Sequence, residues 1–435
     1  MNPPPLARVR QNIDHPYLED VVGTARRLIL ESDLRDRVPE GGTVAVGVGS
    51  RGINKIADIA RSAVDALKEM GYRPFVVAAM GSHGGATADG QRRLLADYGV
   101  TEQAMGAPVK TDMETVVLAT NDFGLPIHFD RNAREADGIV LLNRVKPHTD
   151  FVSTYESGII KMLTIGLGKR EGAAQVHKLG QKGYKKVLPS VGRYLVKNTR
   201  FALGLAILEN AHDQTAEIVA LGPDDVFERE PGLLEKVRGM MGRLPFDQID
   251  FLVVGELGKN YSGAGMDPNV IGRFMIETQP DFARPIVTRL AVLDVSRESH
   301  GNVVGVGFAD LTTERLVAAA DWEATRINVL TSCCLERSRI PFTFATDREV
   351  IEKGLETCWR IDPSEVRMVV IPNTLETDVL WVSKPLEADV RADPTLVRET
   401  DYLPMPIGGP DDRLDQVGLF PDSVQGRRAA RAAGG

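Results

Sequence analysis

The sequence predicts an α/β fold made of two α/β domains with largely parallel sheets and an active-site cleft between them. Short apolar runs alternate with amphipathic helical segments along most of the chain. This alternation is typical of parallel sheets, because two parallel strands need a crossover between them. Glycine accounts for 42 of the 435 residues and gathers where the apolar runs stop, which indicates turns at strand ends.

The first half of the chain has the clearest alternation. The apolar run 43–48 ends in a glycine turn and is followed by a helical pattern that Gly71 closes. The same order then repeats, with Thr87 as the expected N-cap of the next helix. Strands are expected at 43–48, 75–80, 115–119, 125–129, 138–142, 201–209 and 216–221, with helices at 53–70, 87–98, 157–198 (interrupted by glycines) and 223–243.

A second alternating series starts after a predicted boundary near Pro245. We therefore predict an N-terminal α/β domain over 1–244 that carries the cofactor and catalytic residues, and a C-terminal α/β domain over 245–395 that closes the cleft. The tail 396–435 is rich in Pro, Asp, Gly and Arg, and is expected to be weakly ordered or to pack back on the N-terminal domain. Further strands are expected at 251–254, 286–294, 302–308, 367–371 and 379–383, with helices at 312–330 and 347–358.

Composition excludes several classes of function. The chain has 52 basic and 60 acidic residues, a net charge of −8, which argues against a nucleic-acid partner. Three cysteines without a CxxC spacing predict neither a disulfide framework nor a structural zinc site. The chain lacks a stretch of 18 uninterrupted apolar residues and an apolar N-terminal leader, so we expect a cytoplasmic enzyme that has no membrane partner.

Two histidines and a glycine turn lie directly after predicted strands. His83 follows the second strand within a glycine-rich turn, His148 follows the strand at 138–142, and Ser50-Arg51 follows the first strand. Ligands bind at the carboxyl ends of such strands, and Arg51 can grip a carboxylate or phosphate with its forked guanidinium. Neither turn has the spacing of a dinucleotide fingerprint or a P-loop, and HExxH and GxSxG motifs are absent.

Lys161 and His177 fall in the predicted helical region. Lys161 is flanked by Ile159, Ile160, Met162 and Leu163, so desolvation could lower its pKa and make it nucleophilic. An ordinary helix lysine, with its stem buried and its amine in water, is the alternative. His177 alone is equally compatible with a structural role.

Taken together, these residues resemble the lactate racemase family, whose enzymes use a nickel-pincer nucleotide. The family's motifs correspond in order to Gly49-Ser50-Arg51, Gly81-Ser82-His83, Pro147-His148, Lys161 and His177. The resemblance covers most of residues 40–180.

The resemblance implies a racemase or 2-epimerase of a 2-hydroxy acid that works by reversible hydride transfer to the nucleotide. Lys161 would carry the nucleotide covalently, His177 would bind nickel, and Ser50 and Arg51 would contact the cofactor. His83 and His148 would act as catalytic acid and base on opposite sides of the substrate. Substrate contacts are expected from Arg51, Tyr155 and Lys259, and the cofactor biosynthesis enzymes would be partners.

The sequence departs from the family pattern in two places. Val48 replaces an acidic residue before the first motif, so a cofactor contact expected there is missing or is supplied from elsewhere. Lys161 follows His148 by 13 positions, a few more than in the lactate enzymes. The polar side chains in this interval predict a substrate larger or more polar than lactate, such as a sugar acid.

Two other functions remain open from the sequence. His83, His148 and His177 could together form a zinc or iron site of a hydrolase or lyase. The chain could also be a non-catalytic protein that binds a nucleotide or another anion through its glycine turns.

Overall fold

The structure, a computed structural model, describes residues 2–50, 52–277 and 279–433. Its strands are β1 (Leu6–Gln11), β2 (Thr43–Val48), β3 (Arg73–Ala78), β4 (Val109–Lys110), β5 (Thr115–Thr120), β6 (Pro126–Asp130), β7 (Gly138–Arg144), β8 (Phe201–Glu209), β9 (Thr215–Leu221), β10 (Gln248–Leu257), β11 (Ile286–Val295), β12 (Leu311–Thr313), β13 (Phe342–Phe344), β14 (Met368–Ile371), β15 (Val379–Ser383), β16 (Leu396–Arg398), β17 (Ile407–Gly408) and β18 (Arg413–Leu414).

The α-helices are α1 (Val21–Leu30), α2 (Leu34–Arg37), α3 (Ile56–Glu69), α4 (Ala88–Asp97), α5 (Glu102–Met105), α6 (Arg131–Glu135), α7 (Ile159–Lys161), α8 (Lys169–Lys178), α9 (Gly180–Lys182), α10 (Leu188–Asn198), α11 (Val226–Met240), α12 (Pro268–Ile271), α13 (Glu314–Ala318), α14 (Trp322–Ser332), α15 (Asp347–Thr357), α16 (Glu387–Ala392), α17 (Gln416–Leu419) and α18 (Val424–Ala433). Two π-helical turns, Met162–Gly166 and Gly183–Val187, flank α8 on either side.

The chain divides into two compact units, His15–Met241 and a second unit made of Met1–Asp14 and Gly242–Gly435. The first unit contains a six-stranded sheet in the order β4-β3-β2-β7-β8-β9, parallel except for β9. Val48 at the end of β2 pairs with Ala78 of β3 and with Leu142 of β7, so these three strands end at one edge of the sheet. The strand order reverses between β2 and β7, and open α/β sheets bind ligands at such a point.

Alternate residues of β2 contribute to two different cores. Val46 is buried in the cluster that contains Ile59 of α3, whereas Ala45 is buried in the cluster that contains Leu163 and Val237. Helices therefore cover both faces of the sheet, as parallel sheets require. The second core includes the turn after Lys161, so the packing of the sheet also fixes the segment that carries this lysine.

The second unit contains an eight-stranded sheet in the order β13-β12-β11-β10-β14-β15-β1-β16. Strands β10 to β14 pair in parallel, and β15, β1 and β16 add to them antiparallel. The predicted α/β fold with largely parallel sheets is therefore confirmed.

Both chain ends differ from the predicted domain arrangement. Strand β1 pairs with β15 and β16, so the first residues belong to the second unit and not to the domain 1–244. The tail is also part of this unit, because Leu414, Leu419 and Phe420 are buried in the cluster of Phe251. The partners of β1 lie more than 365 residues away along the chain, a pairing that local sequence patterns do not reveal.

Three predicted elements also differ. The segment 302–308 is not a strand, because Gly305 has a φ of +96° and a Cβ there would lie 1.9 Å from the Ala264 carbonyl oxygen, so this backbone crosses another loop closely. The expected helix 312–330 is divided into α13 and α14. Strands β5 and β6 form an antiparallel hairpin of their own outside the parallel sheet.

Candidate active site

The turns after β2 and β3 are joined by a side-chain contact. Ser50 Oγ is hydrogen-bonded to Nδ1 of His83. The carbonyl oxygen of Ser50 accepts a hydrogen bond from the Tyr98 hydroxyl at 2.6 Å, which fixes the serine. Arg51, predicted to contact cofactor and substrate, lies outside the described residues.

The turn that carries His83 is held from two directions. Gly81, with a φ of +58°, donates its N–H to the Gly166 carbonyl at 3.1 Å. The buried amide of Gln91 donates to the carbonyl oxygens of Gly81 and His83 at 3.0 and 3.3 Å. His83 is exposed, and its turn is thereby fixed to the π-helical turn that follows Lys161.

The loop after β7 is organised around Glu156, which is only 1% exposed. Its carboxylate accepts the backbone N–H groups of His148 and Ser153 at 2.8 and 2.9 Å, and Arg238 donates to it at 2.7 Å. Burial raises the pKa of Glu156, and Arg238 and the two N–H groups oppose that rise. One buried carboxylate therefore sets the backbone position of His148.

The ring of His148 is fixed by its own loop. Nδ1 accepts the backbone N–H of Asp150 at 3.0 Å. A neutral imidazole that accepts at Nδ1 carries its proton on Nε2. The neutral form of His148 is thus a hydrogen-bond donor at Nε2.

The segment that carries Lys161 begins at Gly158 and is held by Glu230 of α11. One carboxylate oxygen of Glu230 accepts the N–H groups of Ile159 and Ile160 at 2.6 and 3.3 Å. A Cβ on Gly158, whose φ is +151°, would lie 2.6 Å from the Glu230 carboxyl carbon. Burial raises the pKa of Glu230 to about 8. Directly after Lys161 the helix becomes a π-helical turn, a feature that is frequent at functional sites.

Three residues predicted to act at the site gather around the stacked rings of Phe151 and Tyr184. The His148 ring stacks on Phe151 with centroids 4.3 Å apart, and the His177 ring lies 5.7 Å from that of Tyr184. The amine of Lys161 lies 5.4 Å from the centroid of the Phe151 ring. The sequence places these histidines and the lysine far apart, and the fold brings them together.

The electrostatic environment of His177 reflects this arrangement. Burial lowers the pKa of His177, the positive charge of Lys161 lowers it further, and Asp150 opposes the change. A neutral imidazole is the form that binds a metal ion.

A buried ion pair fixes the start of α8, the helix that carries His177. The Lys169 amine lies 2.8 Å from the Asp130 carboxylate, with both side chains fully buried, and donates to the Ala78 carbonyl at 2.7 Å. Lys169 has a φ of +53°, an uncommon conformation for a residue with a side chain. This lysine ties the ends of β3 and β6 to α8.

Two further predicted substrate contacts are hydrogen-bonded to other groups of the protein. The Tyr155 hydroxyl donates to the Phe227 carbonyl at 2.8 Å and its side chain is buried. Lys259 belongs to the second unit, where its amine donates to the carbonyl of Gly263 at 2.6 Å and to Asn328 at 3.1 Å. Their roles toward a substrate stay predictions.

A three-histidine metal site is not formed. Within the part of the chain that the structure describes, the ring nitrogens of His83, His148 and His177 do not gather within 4.8 Å of one another. The structure therefore disfavours the hydrolase or lyase alternative, which needs all three as ligands.

Comparison with known proteins finds a family model that matches part of the chain. Residues 19–187 match the family model of the lactate racemase N-terminal domain. The match covers about two fifths of the chain. The matched segment contains Ser50, His83, His148, Lys161 and His177. The similarity of this segment to the lactate racemase N-terminal domain supports the assignment of the chain as an isomerase.

A solved relative supports the fold. The lactate racemase apoprotein from Thermoanaerobacterium thermosaccharolyticum is similar to this chain with a TM-score of 0.52 and 12% sequence identity, over 84% of this chain and 98% of that chain. Among curated proteins, none matches the sequence. Within the described residues, none of the helices has both the length and the apolar character needed to cross a membrane.

Proposed function

We propose that this chain, which is similar to the lactate racemase N-terminal domain over residues 19–187, is a racemase or 2-epimerase of a 2-hydroxy acid and uses a nickel-pincer nucleotide attached to Lys161. The observation that carries the proposal is the grouping of Lys161, His148 and His177 around the Phe151–Tyr184 pair. This chemistry needs an amine, a metal ligand and an acid–base group close together, and Lys161, His177 and His148 supply them.

The donor set fits such a cofactor. Lys161 is half-buried, with its amine over the face of Phe151, and a half-buried amine can form a covalent link while remaining reachable. His177 lies on α8, the next α-helix along the chain, where an imidazole nitrogen can bind nickel. Ser50 and Arg51 would add cofactor contacts from the turn after β2. When bound, the cofactor would act as the hydride acceptor and donor.

Proton transfer would be the task of His83 and His148. In the tautomer that donates Nδ1–H to Ser50 Oγ, Nε2 of His83 has a lone pair and can take the substrate's hydroxyl proton. His148 would return a proton to the keto oxygen after hydride delivery to the opposite face, acting from its protonated form, in which Nδ1 no longer accepts the Asp150 N–H. Loss of that proton leaves a neutral ring. One turnover would leave a proton on His83 and remove one from His148, and the reverse reaction would exchange these roles.

The substrate would be a polar 2-hydroxy acid such as a sugar acid. Among the polar side chains after His148, Glu156 and Tyr155 are buried and bonded within the protein, so they do not support this choice. Thr149 and Asp150 are half-buried and would be the residues that meet extra hydroxyl groups. Arg51 would bind the carboxylate.

The test is turnover of single enantiomers by protein produced together with the cofactor biosynthesis enzymes. The substrates are a panel of 2-hydroxy acids from lactate to sugar acids, and chiral chromatography measures the products. We expect the enzyme to interconvert the two configurations of at least one of these acids. His83→Asn and His148→Asn should each slow turnover by about 100-fold or more and keep their nickel. His212→Asn, an exposed histidine in the β8–β9 turn, should leave the rate unchanged.

Other outcomes would contradict the proposal. Nickel-loaded protein that converts none of the panel would support the anion-binding alternative. If the protein contains zinc or iron in place of nickel, and both His83→Asn and His148→Asn lose that metal, the three-histidine hydrolase or lyase alternative would be supported. If lactate is converted faster than the other acids of the panel, only the prediction of a larger or more polar substrate is contradicted.

A further inference from the structure

Phe151 and Tyr184 form the aromatic centre of the site, although neither is one of the predicted site residues. Their rings are almost parallel, with an interplanar angle of 7° and centroids 3.8 Å apart. Phe151 is fully buried, whereas Tyr184 is half-buried. The pair is therefore anchored on one side and open to its surroundings on the other.

Tyr184 lies near both histidines of the cluster. Its ring centroid is 6.3 Å from that of His148 and 5.7 Å from that of His177. With Phe151 stacked on His148 at 4.3 Å, the four rings form a continuous row. Neighbouring aromatic rings restrict one another's orientation, because stacked and edge-on geometries are favoured over others.

The backbone holds Tyr184 in this position. It lies in the π-helical turn Gly183–Val187, and a Cβ on Gly183 would come within 2.0 Å of the Val176 carbonyl oxygen. Only glycine permits so close an approach. The residue before Tyr184 is therefore pressed against α8 next to His177.

We propose that Tyr184 is a positioning residue that sets the orientation of His148 and its distance from His177 through its ring. This inference rests on the proposed function, in which His148 handles a substrate proton and His177 binds nickel. A proton donor must be positioned accurately relative to the reacting atoms of the substrate. A displacement of the catalytic group by about 1 Å can lower the rate roughly 100-fold. The proposed role is that of the ring, which contacts Phe151 and lies near both histidines.

The experiment compares Tyr184→Phe, which keeps the ring, with Tyr184→Leu, which removes it, in the full-length protein. Tyr194→Leu is the matched control, because Tyr194 is half-buried in the following helix and donates to the Leu118 carbonyl at 3.3 Å. The first readout is the NMR spectrum of the histidine rings in protein made without cofactor. The second is kcat and KM of the loaded enzyme.

We expect Tyr184→Leu to move the ring signals of both His148 and His177 and to lower kcat by about 10- to 100-fold with little change in KM. Tyr184→Phe and Tyr194→Leu should resemble the wild type in both readouts. Tyr184→Met, with similar bulk and no ring, should match Tyr184→Leu and replaces it if that variant does not fold.

Unchanged His148 and His177 signals in the ring-free variants would overturn the inference, as would equal loss of kcat in Tyr184→Phe and Tyr184→Leu. If the loaded wild type has no racemase activity, the proposed function fails. The NMR comparison, which uses no cofactor, then still decides whether Tyr184 positions the two histidines.

Discussion

The backbone N–H of His148 donates a hydrogen bond of 2.8 Å to the buried carboxylate of Glu156. The residue proposed to move a proton is thus held by a second residue eight positions later, within the same loop. The carboxylate also joins this loop to α11 through Arg238. Buried polar groups that are fully hydrogen-bonded make a local structure rigid.

Replacing Glu156 should damage turnover through His148. Glu156→Leu leaves two backbone N–H groups and Arg238 without their acceptor, so we expect the free energy of unfolding to fall by about 3 kcal/mol and kcat by about tenfold or more. Arg238→Met removes one donor only and should have a smaller effect on both. Urea unfolding and steady-state kinetics measure these changes, and a kcat within twofold of the wild type for Glu156→Leu would contradict the assigned role.

The buried carboxyl of Glu230 should make stability depend on pH. Its pKa is about 8 in the folded protein against an ordinary value of 4.5. Between these values the unfolded chain loses this proton first, so the contribution of Glu230 to stability is full below pH 4.5 and falls by up to about 1.4 kcal/mol per pH unit toward pH 8.

Glu230→Gln has no proton to lose, and its unfolding free energy relative to the wild type should therefore rise from pH 5 to pH 8. Urea titrations at several pH values measure this difference. Glu235→Gln, an exposed residue of the same helix, should give a constant difference. If the difference in unfolding free energy between Glu230→Gln and the wild type is also independent of pH, the pKa of Glu230 is not raised.

The ion pair of Lys169 and Asp130 should be strongly coupled. Lys169→Met leaves the buried carboxylate of Asp130 without its positively charged partner and should lower the free energy of unfolding by about 3–5 kcal/mol. Asp130→Asn in the same chain removes that charge and keeps an oxygen that can accept the Ala133 N–H, so the double variant should recover part of the loss. A double-mutant cycle measures the coupling, and strictly additive single effects would mean that the pair contributes nothing of its own.

The sequence predicted those parts of the site that depend on local patterns. Apolar runs ending in glycine turns predicted β2, β3 and β7 together with the positions of Ser50, His83 and His148 after them, because parallel strands end at one edge. The motif order then pointed to Lys161 and His177. Their grouping in space required the crossovers of the fold.

Other features depend on contacts between distant residues. Phe151 and Tyr184 have no periodic pattern that separates them from ordinary core residues, and they meet only because the loop after β7 packs on the turn after α9. Glu156 is one of the polar side chains between His148 and Lys161 that predict a polar substrate, but it is buried and accepts the N–H of His148. Strand β1 was missed because its partner strands lie at the far end of the chain.

The mass of the peptide that contains Lys161 tests the central claim most directly. In protein produced together with the cofactor biosynthesis enzymes, digestion and mass spectrometry should find this peptide heavier by a pyridinium mononucleotide with two sulfur-containing arms, and peptides containing Lys169 should be unmodified. The added mass should be absent without those enzymes and in Lys161→Ala. An unmodified Lys161 in protein that is active and contains nickel would contradict the attachment of the cofactor to this residue.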